Sequence, residues 1–225
     1  MNPPSRFLRR SVMRTFVDRH EAGRVLAQEL KSYRGKDNLM VLGLARGGVP
    51  VAWEIASALR APVDVFLVRK LGVPRWSELA MGALASGGGV VINDSVVSRL
   101  HITDEQVRDV IDSETAELAR RDQAYRGGRP AANAVGKIVI LVDDGIATGA
   151  SMLAAVRAVR AGGPQSIVVT VPVGPPPVCQ ALARVADDVV CVTTPPGFEA
   201  VGQVYGDFHQ VSDDEVGKLL GTPTN

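Results

Sequence analysis

Residues 140–151, ILVDDGIATGAS, place two adjacent carboxylates, Asp143 and Asp144, after an apolar run and before a short turn rich in small and hydroxyl residues. Where such a turn opens a helix it is an anion site, because the first helical N–H groups lack intrahelical partners and carry partial positive charge. Gly149 puts no Cβ between an anion and the backbone, and Thr148 and Ser151 add hydroxyl donors. Two negative charges beside a phosphate cradle weaken phosphate binding unless the same ligand also brings hydroxyl donors, a metal ion or developing positive charge. A ribose 5-phosphate brings all three. Its phosphate fits the helix start, beside Thr148, Gly149 and Ser151. Its vicinal hydroxyls can donate to Asp143 and Asp144, and its C1 becomes oxocarbenium-like as a leaving group departs. A lone DDG is usually only a strand-to-helix turn with a capping acid. Four apolar residues, two acids and then T-G-x-S opening a helix make a more specific pattern. Neither the GxxxxGK[ST] of a P-loop nor a GxGxxG following a strand is present.

A second stretch, GLARGGVP, repeats the arrangement of strand end, glycines and helix start, with Arg46 as a charged clamp and Gly47 and Gly48 open to close approach. Arg69 and Lys70 end the next apolar run. The histidines, His20, His101 and His209, are scattered without metal-site spacing, which argues against structural zinc. Cys179 and Cys191 lack CxxC spacing and read as reduced, packed thiols.

The elements that must hold these residues alternate in period. Apolar residues at helical spacing follow Asp18, a capping residue, up to about Tyr33. LMVLGL then reads as a strand, VPVAWEIASALR as a helix with Pro50 in its first turn, and VDVFLV as a strand. From Arg69 to Asp94 the pattern breaks into short apolar pieces among glycines, which suits a β-hairpin lid. Thr103, with Gln106 in capping-box position, opens a long charged helix that Gly127 and Gly128 stop near Arg126. KIVILV, a helix from about Thr148 to Arg160, SIVVTVPV, a helix from Pro176 to about Val185 and DVVCVT complete the alternation, and Ser212 with Glu215 caps a short final helix. Alternation with near-continuous Val/Ile strands predicts an α/β fold: a Rossmann-like, twisted, mostly parallel sheet with helices on both faces.

The 225 residues suit one domain, read as a core over about 36–195, a lid over about 70–95 and a small hood from residues 1–35 and 196–225. A net charge of +1 and 4% aromatic residues argue against a nucleic-acid partner. The apolar runs are strand-sized, so no membrane span is expected, and the basic N-terminus lacks the apolar region of a secretory signal. A cytoplasmic protein is the expectation.

IVILVDDGIATGAS resembles the phosphoribosyl-diphosphate (PRPP) binding motif of the type I phosphoribosyltransferases, and the likeness runs from about Leu39 to Thr193. It is closest to stand-alone bacterial members whose acceptor is unassigned. The resemblance implies that Asp143 and Asp144 hold the ribose diol and, directly or through water, Mg²⁺ bound chiefly through PRPP. It implies that residues 147–151 take the 5-phosphate, and that Ala45, Arg46, Gly47 and Gly48 form a diphosphate loop with a non-proline cis peptide between Ala45 and Arg46. Arg46, Arg69 and Lys70 would then steady the leaving diphosphate, with Arg46 and Lys70 counted beside the two acids as catalytic. The variable hood implies an acceptor site, for which Phe198, Tyr205 and Phe208 are the aromatic candidates. Related folds commonly dimerise, and the sequence leaves the oligomeric state open between monomer and homodimer. Gly145 departs from the family, where many members carry an apolar side chain. The implied activity is Mg²⁺-assisted phosphoribosyl transfer to a small nitrogenous, nucleobase-like acceptor with release of diphosphate. The alternative is a PRPP- or nucleotide-binding regulator on the same fold.

Overall fold

The structure, a computed structural model, describes residues 14–86 and 89–221. The N-terminal part of the expected hood, residues 1–13, lies outside them. The chain runs α1 (Arg19–Glu29), β1 (Leu39–Leu44), α2 (Gly48–Leu59), β2 (Val63–Phe66), β3 (Val68–Val73), β4 (Trp76–Ala85), β5 (Val90–Ile92), α3 (Asp94–Arg99) and α4 (Asp104–Arg126). It continues through β6 (Ile138–Val142), α5 (Ala150–Ala161), β7 (Ser166–Val173), α6 (Pro176–Leu182), β8 (Asp188–Thr193) and α7 (Asp213–Leu219).

Five strands pair in parallel in the order β2-β1-β6-β7-β8. Successive residues of a strand point to opposite faces, and the core divides accordingly. Val41, Ile140 and Val168 pack under α1 and α2, whereas Leu42, Leu141 and Val169 pack under α5 and α6. Both faces are therefore dry, which is why these strands read as unbroken apolar runs. From β1 the chain moves to β2 on one side, and from β6 to β7 and β8 on the other. The β1/β6 boundary is thus the point where strand order reverses, and ligands of open α/β sheets bind beyond the strand ends at such a point. In register, Gly43 faces Val142, so the loops after β1 and β6 emerge side by side.

The capping signals hold. Asp18 accepts from the Glu21 N–H, and Thr103 and Gln106 form the expected box at the start of α4. The expected lid is larger than a hairpin, an antiparallel sheet of β3, β4 and β5 that packs with α3, α4 and α7 around Leu71, Met81 and Tyr125. VDVFLV is broken at Leu67, where the chain leaves one sheet for the other. The short α3 has no periodic signal because only Val96 of its residues is buried. Cys179 and Cys191 are free and buried. No helix among the described residues is long and apolar enough to cross a membrane.

Arg126, 3% exposed at the end of α4, ties that helix to the sheet edge. Its Nε lies 3.1 Å from both Asp64 oxygens, and its Nη1 pairs with Asp122. Arg126→Met leaves the Asp64 carboxylate without its main partner. We expect a loss of about 3–5 kcal/mol, read from urea unfolding midpoints; an unchanged midpoint contradicts this account of the α4 anchor.

Candidate active site

Asp143 and Asp144 follow directly on the last residue of β6. The Asp144 N–H donates to Asp143 Oδ1 at 2.9 Å, which turns the chain out of the strand. Ile146 then pins the loop: its N–H donates to the Val173 carbonyl at 2.9 Å and its side chain is buried. Ala147 and Thr148 are left exposed. Gly149 takes φ +74°, and a Cβ there would stand 2.5 Å from Val178 Cγ1, so the position requires glycine. Helix α5 begins at Ala150, two residues later than the sequence suggests, and residues 143–149 form the loop that faces its open end. The N–H groups of Ala147, Thr148 and Gly149 meet no protein acceptor among the described residues, while Thr148 Oγ1 accepts from the Ala150 N–H at 3.4 Å.

A side chain at Gly145 would run into Val201 and come within 2.7 Å of Val173. Val201 lies in the tail, in the short 3₁₀ turn Val201–Val204, and supplies the apolar packing that a side chain at 145 would otherwise give.

The loop after β1 lies against this one. The Ala45–Arg46 peptide bond is cis, as the resemblance implies. A Cβ on Gly48 would be 2.5 Å from the Val142 carbonyl oxygen and 2.9 Å from Asp143 Cα, and a Cβ on Gly47 would fall inside the Asp144 carboxylate. Two consecutive glycines therefore let the two loops touch. Arg46 Nη1 lies 3.4 Å from Asp213 Oδ1, at the start of α7, and the same oxygen accepts from the Tyr125 hydroxyl at 2.7 Å. Burial, then the neighbouring Asp213 carboxylate, pushes the Tyr125 phenol up to about 12, so it remains a donor. Arg69 Nε lies 2.6 Å from Glu114 Oε2 on α4. Lys70 and Ser151 both line a cavity of about 230 Å³ between the small sheet and α5, with Asn93 and Arg157 on its wall.

Burial, then the charge of Asp144, raises the Asp143 carboxyl well above the usual carboxylate range. Burial raises Asp144 as well, opposed by Arg19, whose Nε lies 2.8 Å from Asp144 Oδ2. The native protein therefore holds protons that the unfolded chain releases near pH 4. This contribution to stability is complete below that pH and is lost as pH rises through the raised native values. The stability difference between wild type and Asp143→Asn should accordingly shift in favour of the variant as pH rises from 4 to 7. A pH-independent difference in urea midpoints contradicts the shift.

Residues 18–207 match the family model of the phosphoribosyl transferase domain. The chain belongs to that family. A Mycobacterium tuberculosis protein provisionally named a phosphoribosyl transferase is 49% identical over 208 residues, which are 92% of this chain and 47% of that protein. The chain thus spans about half the length of the curated relatives it matches. A protein of Thermus thermophilus, known from its crystal structure, is 41% identical with a TM-score of 0.81, over 92% of this chain and 97% of that one.

Within this phosphoribosyl transferase domain the three aromatic candidates do not form one open platform. Phe198 packs on the core, whereas Tyr205 and Phe208 stack on each other with centroids 5.0 Å apart. The Tyr205 hydroxyl donates to the Asp144 carbonyl at 2.6 Å. Sequence reasoning missed the partners: Arg19, Glu114 and Asp213 each meet a candidate site residue. Glu114 and Asp213 sit among other charged residues of α4 and α7, with nothing in their spacing to single them out. Arg19 follows a capping residue with nothing in its spacing to mark it as buried.

Proposed function

We propose that this domain transfers a 5-phosphoribosyl group from PRPP to a nitrogenous, nucleobase-like acceptor and releases diphosphate. One observation carries the reading: at the strand-order reversal, a helix start with open N–H groups and a second glycine-lined helix start meet across two acids, with Gly48 against Asp143. A ligand with a phosphate at one end, a diol in the middle and a diphosphate at the other matches that sequence of groups. The 5-phosphate goes to residues 147–151, the diol to Asp143 and Asp144, and the diphosphate to residues 45–48, with Arg46, Arg69 and Lys70 around it.

In the reaction the C1–O bond to diphosphate breaks, a C1–N bond forms and the acceptor nitrogen gives up a proton. The acids hold the sugar and offset charge building near C1, a contribution that grows as water is excluded. The cations offset charge on the leaving oxygen. Mg²⁺ favours oxygen donors, which Asp143 and Asp144 provide directly or through water, and when bound with PRPP it neutralises diphosphate charge. Closure of the β3–β5 sheet would keep water from C1. The acceptor side is taken to be the tail around Phe208, the one of the three aromatic candidates that is exposed.

The test is to incubate the protein with PRPP, Mg²⁺ and a panel of purines, pyrimidines and pyridine carboxylates while following diphosphate. Acceptor-dependent release supports transfer and identifies the base. Tight PRPP binding with no release against any acceptor replaces transfer by sensing.

A further inference from the structure

Arg19 is the first residue of α1, yet it is only 7% exposed. Its Nε donates to Asp144 Oδ2 at 2.8 Å and its Nη1 to the His209 carbonyl at 2.8 Å. Its guanidinium lies over Phe208, 4.0 Å from the ring centroid, and 5.9 Å from that of Tyr205. The two chain segments that supply this cage are fastened together. Phe16 donates to the Val204 carbonyl, and Gly206 and Asp207 donate to the carbonyls of Phe16 and Val17, all within 2.8 Å. The Asp18 cap and the Val17 N–H bond to Glu21 fix the backbone on either side of Arg19. The Tyr205 hydroxyl holds the Asp144 carbonyl in turn. Asp144 is thus gripped at its backbone by Tyr205 and at one carboxylate oxygen by Arg19. Its other oxygen, Oδ1, takes no hydrogen bond from the side chain or backbone of any other described residue.

We infer that Arg19 is a positioning residue for Asp144: the two ends of the domain converge to aim Oδ1 at the sugar and to cancel one of two adjacent negative charges beside the phosphate site. The inference rests on the proposed PRPP reading. It answers a physical difficulty in that reading, since two neighbouring carboxylates in a poorly solvated site repel each other and any phosphate near them. With Arg19 in place, Asp144 keeps a free acceptor oxygen while its charge is offset. The aromatic residues then act as the wall that fixes the orientation of the planar guanidinium toward Asp144.

The test is calorimetric binding of PRPP and of ribose 5-phosphate to the full chain as wild type, Arg19→Gln, Arg19→Lys, Asp144→Asn and the Arg19→Gln/Asp144→Asn double variant. Arg19→Gln is expected to weaken both ligands by roughly tenfold or more, as expected when a charged hydrogen-bond partner is removed from a partly buried carboxylate. Arg19→Lys, which keeps the charge but not the two-point fork, is expected to fall between it and wild type. The double variant should bind within about twofold of Asp144→Asn alone, because Arg19 acts through that carboxylate. Additive losses in the double variant would mean that Arg19 meets the ligand or only supports the fold, and overturn the inference. So would unchanged affinity in a folded Arg19→Gln or Arg19→Lys. A wild-type protein that binds neither ligand removes the PRPP reading itself and the inference with it; wild-type binding with an indifferent Arg19 removes the inference alone.

Discussion

Asp143→Asn is expected to weaken PRPP binding by roughly a hundredfold and, at neutral pH, to make the protein harder to unfold. On the proposed reading, the first effect follows from losing a charged acceptor for a sugar hydroxyl and for Mg²⁺ bound with PRPP, about 3 kcal/mol in all. The second follows from the raised carboxyl: burial and Asp144 disfavour its ionised form, and each unit of such a shift is worth about 1.4 kcal/mol. An asparagine oxygen can still accept the Asp144 N–H, so the turn itself is kept. Asp144→Asn should behave differently. It leaves the buried Arg19 without its carboxylate, so binding and stability should fall together, the latter by about 1–3 kcal/mol. Urea unfolding and calorimetry on the two variants separate these outcomes. Equal destabilisation by both would mean that Asp143 is an ordinary structural turn residue.

Gly48→Ala is the second large effect. The added methyl group would press on the Val142 carbonyl and on Asp143 Cα, neither of which is a flexible chain end, so backbone has to move. Overpacking of this kind costs about 1–3 kcal/mol. More important is the direction of the shift, which separates the loop carrying Arg46 from the acids. A displacement on the order of 1 Å between groups that act on one substrate costs about a hundredfold in rate. We therefore expect diphosphate release to fall by about that factor while the variant remains folded. Full activity in the variant would show that the contact between the two loops is incidental.

Much of this arrangement was legible in the sequence because strong local rules set it. The parallel strands announced themselves as Val/Ile runs, being buried on both faces, and Asp18, Thr103 and Ser212 marked helix starts through side-chain caps. The DDGIATGAS turn was legible for the same reason, since its glycine, hydroxyls and acids serve nearby backbone. What could not be read depends on contacts between residues distant in sequence. Arg19 and Asp144 are 125 positions apart, and Arg46 and Asp213 are 167 apart. Nothing in a charged residue's own neighbourhood tells whether its partner is water or a buried ion. The aromatic tail is a similar case. Tyr205 and Phe208 suit stacking on a base, but in the fold they stack on each other and on Arg19. Gly145 also became intelligible only with Val201 beside it.

The most direct measurement is a crystal structure with PRPP and Mg²⁺ bound. The account predicts the 5-phosphate on the N–H groups of residues 147–151, the ribose hydroxyls within hydrogen-bond distance of Asp143 and Asp144, and the diphosphate over residues 45–48. A ligand bound elsewhere, or residues 143–151 left empty at saturating concentration, would contradict it.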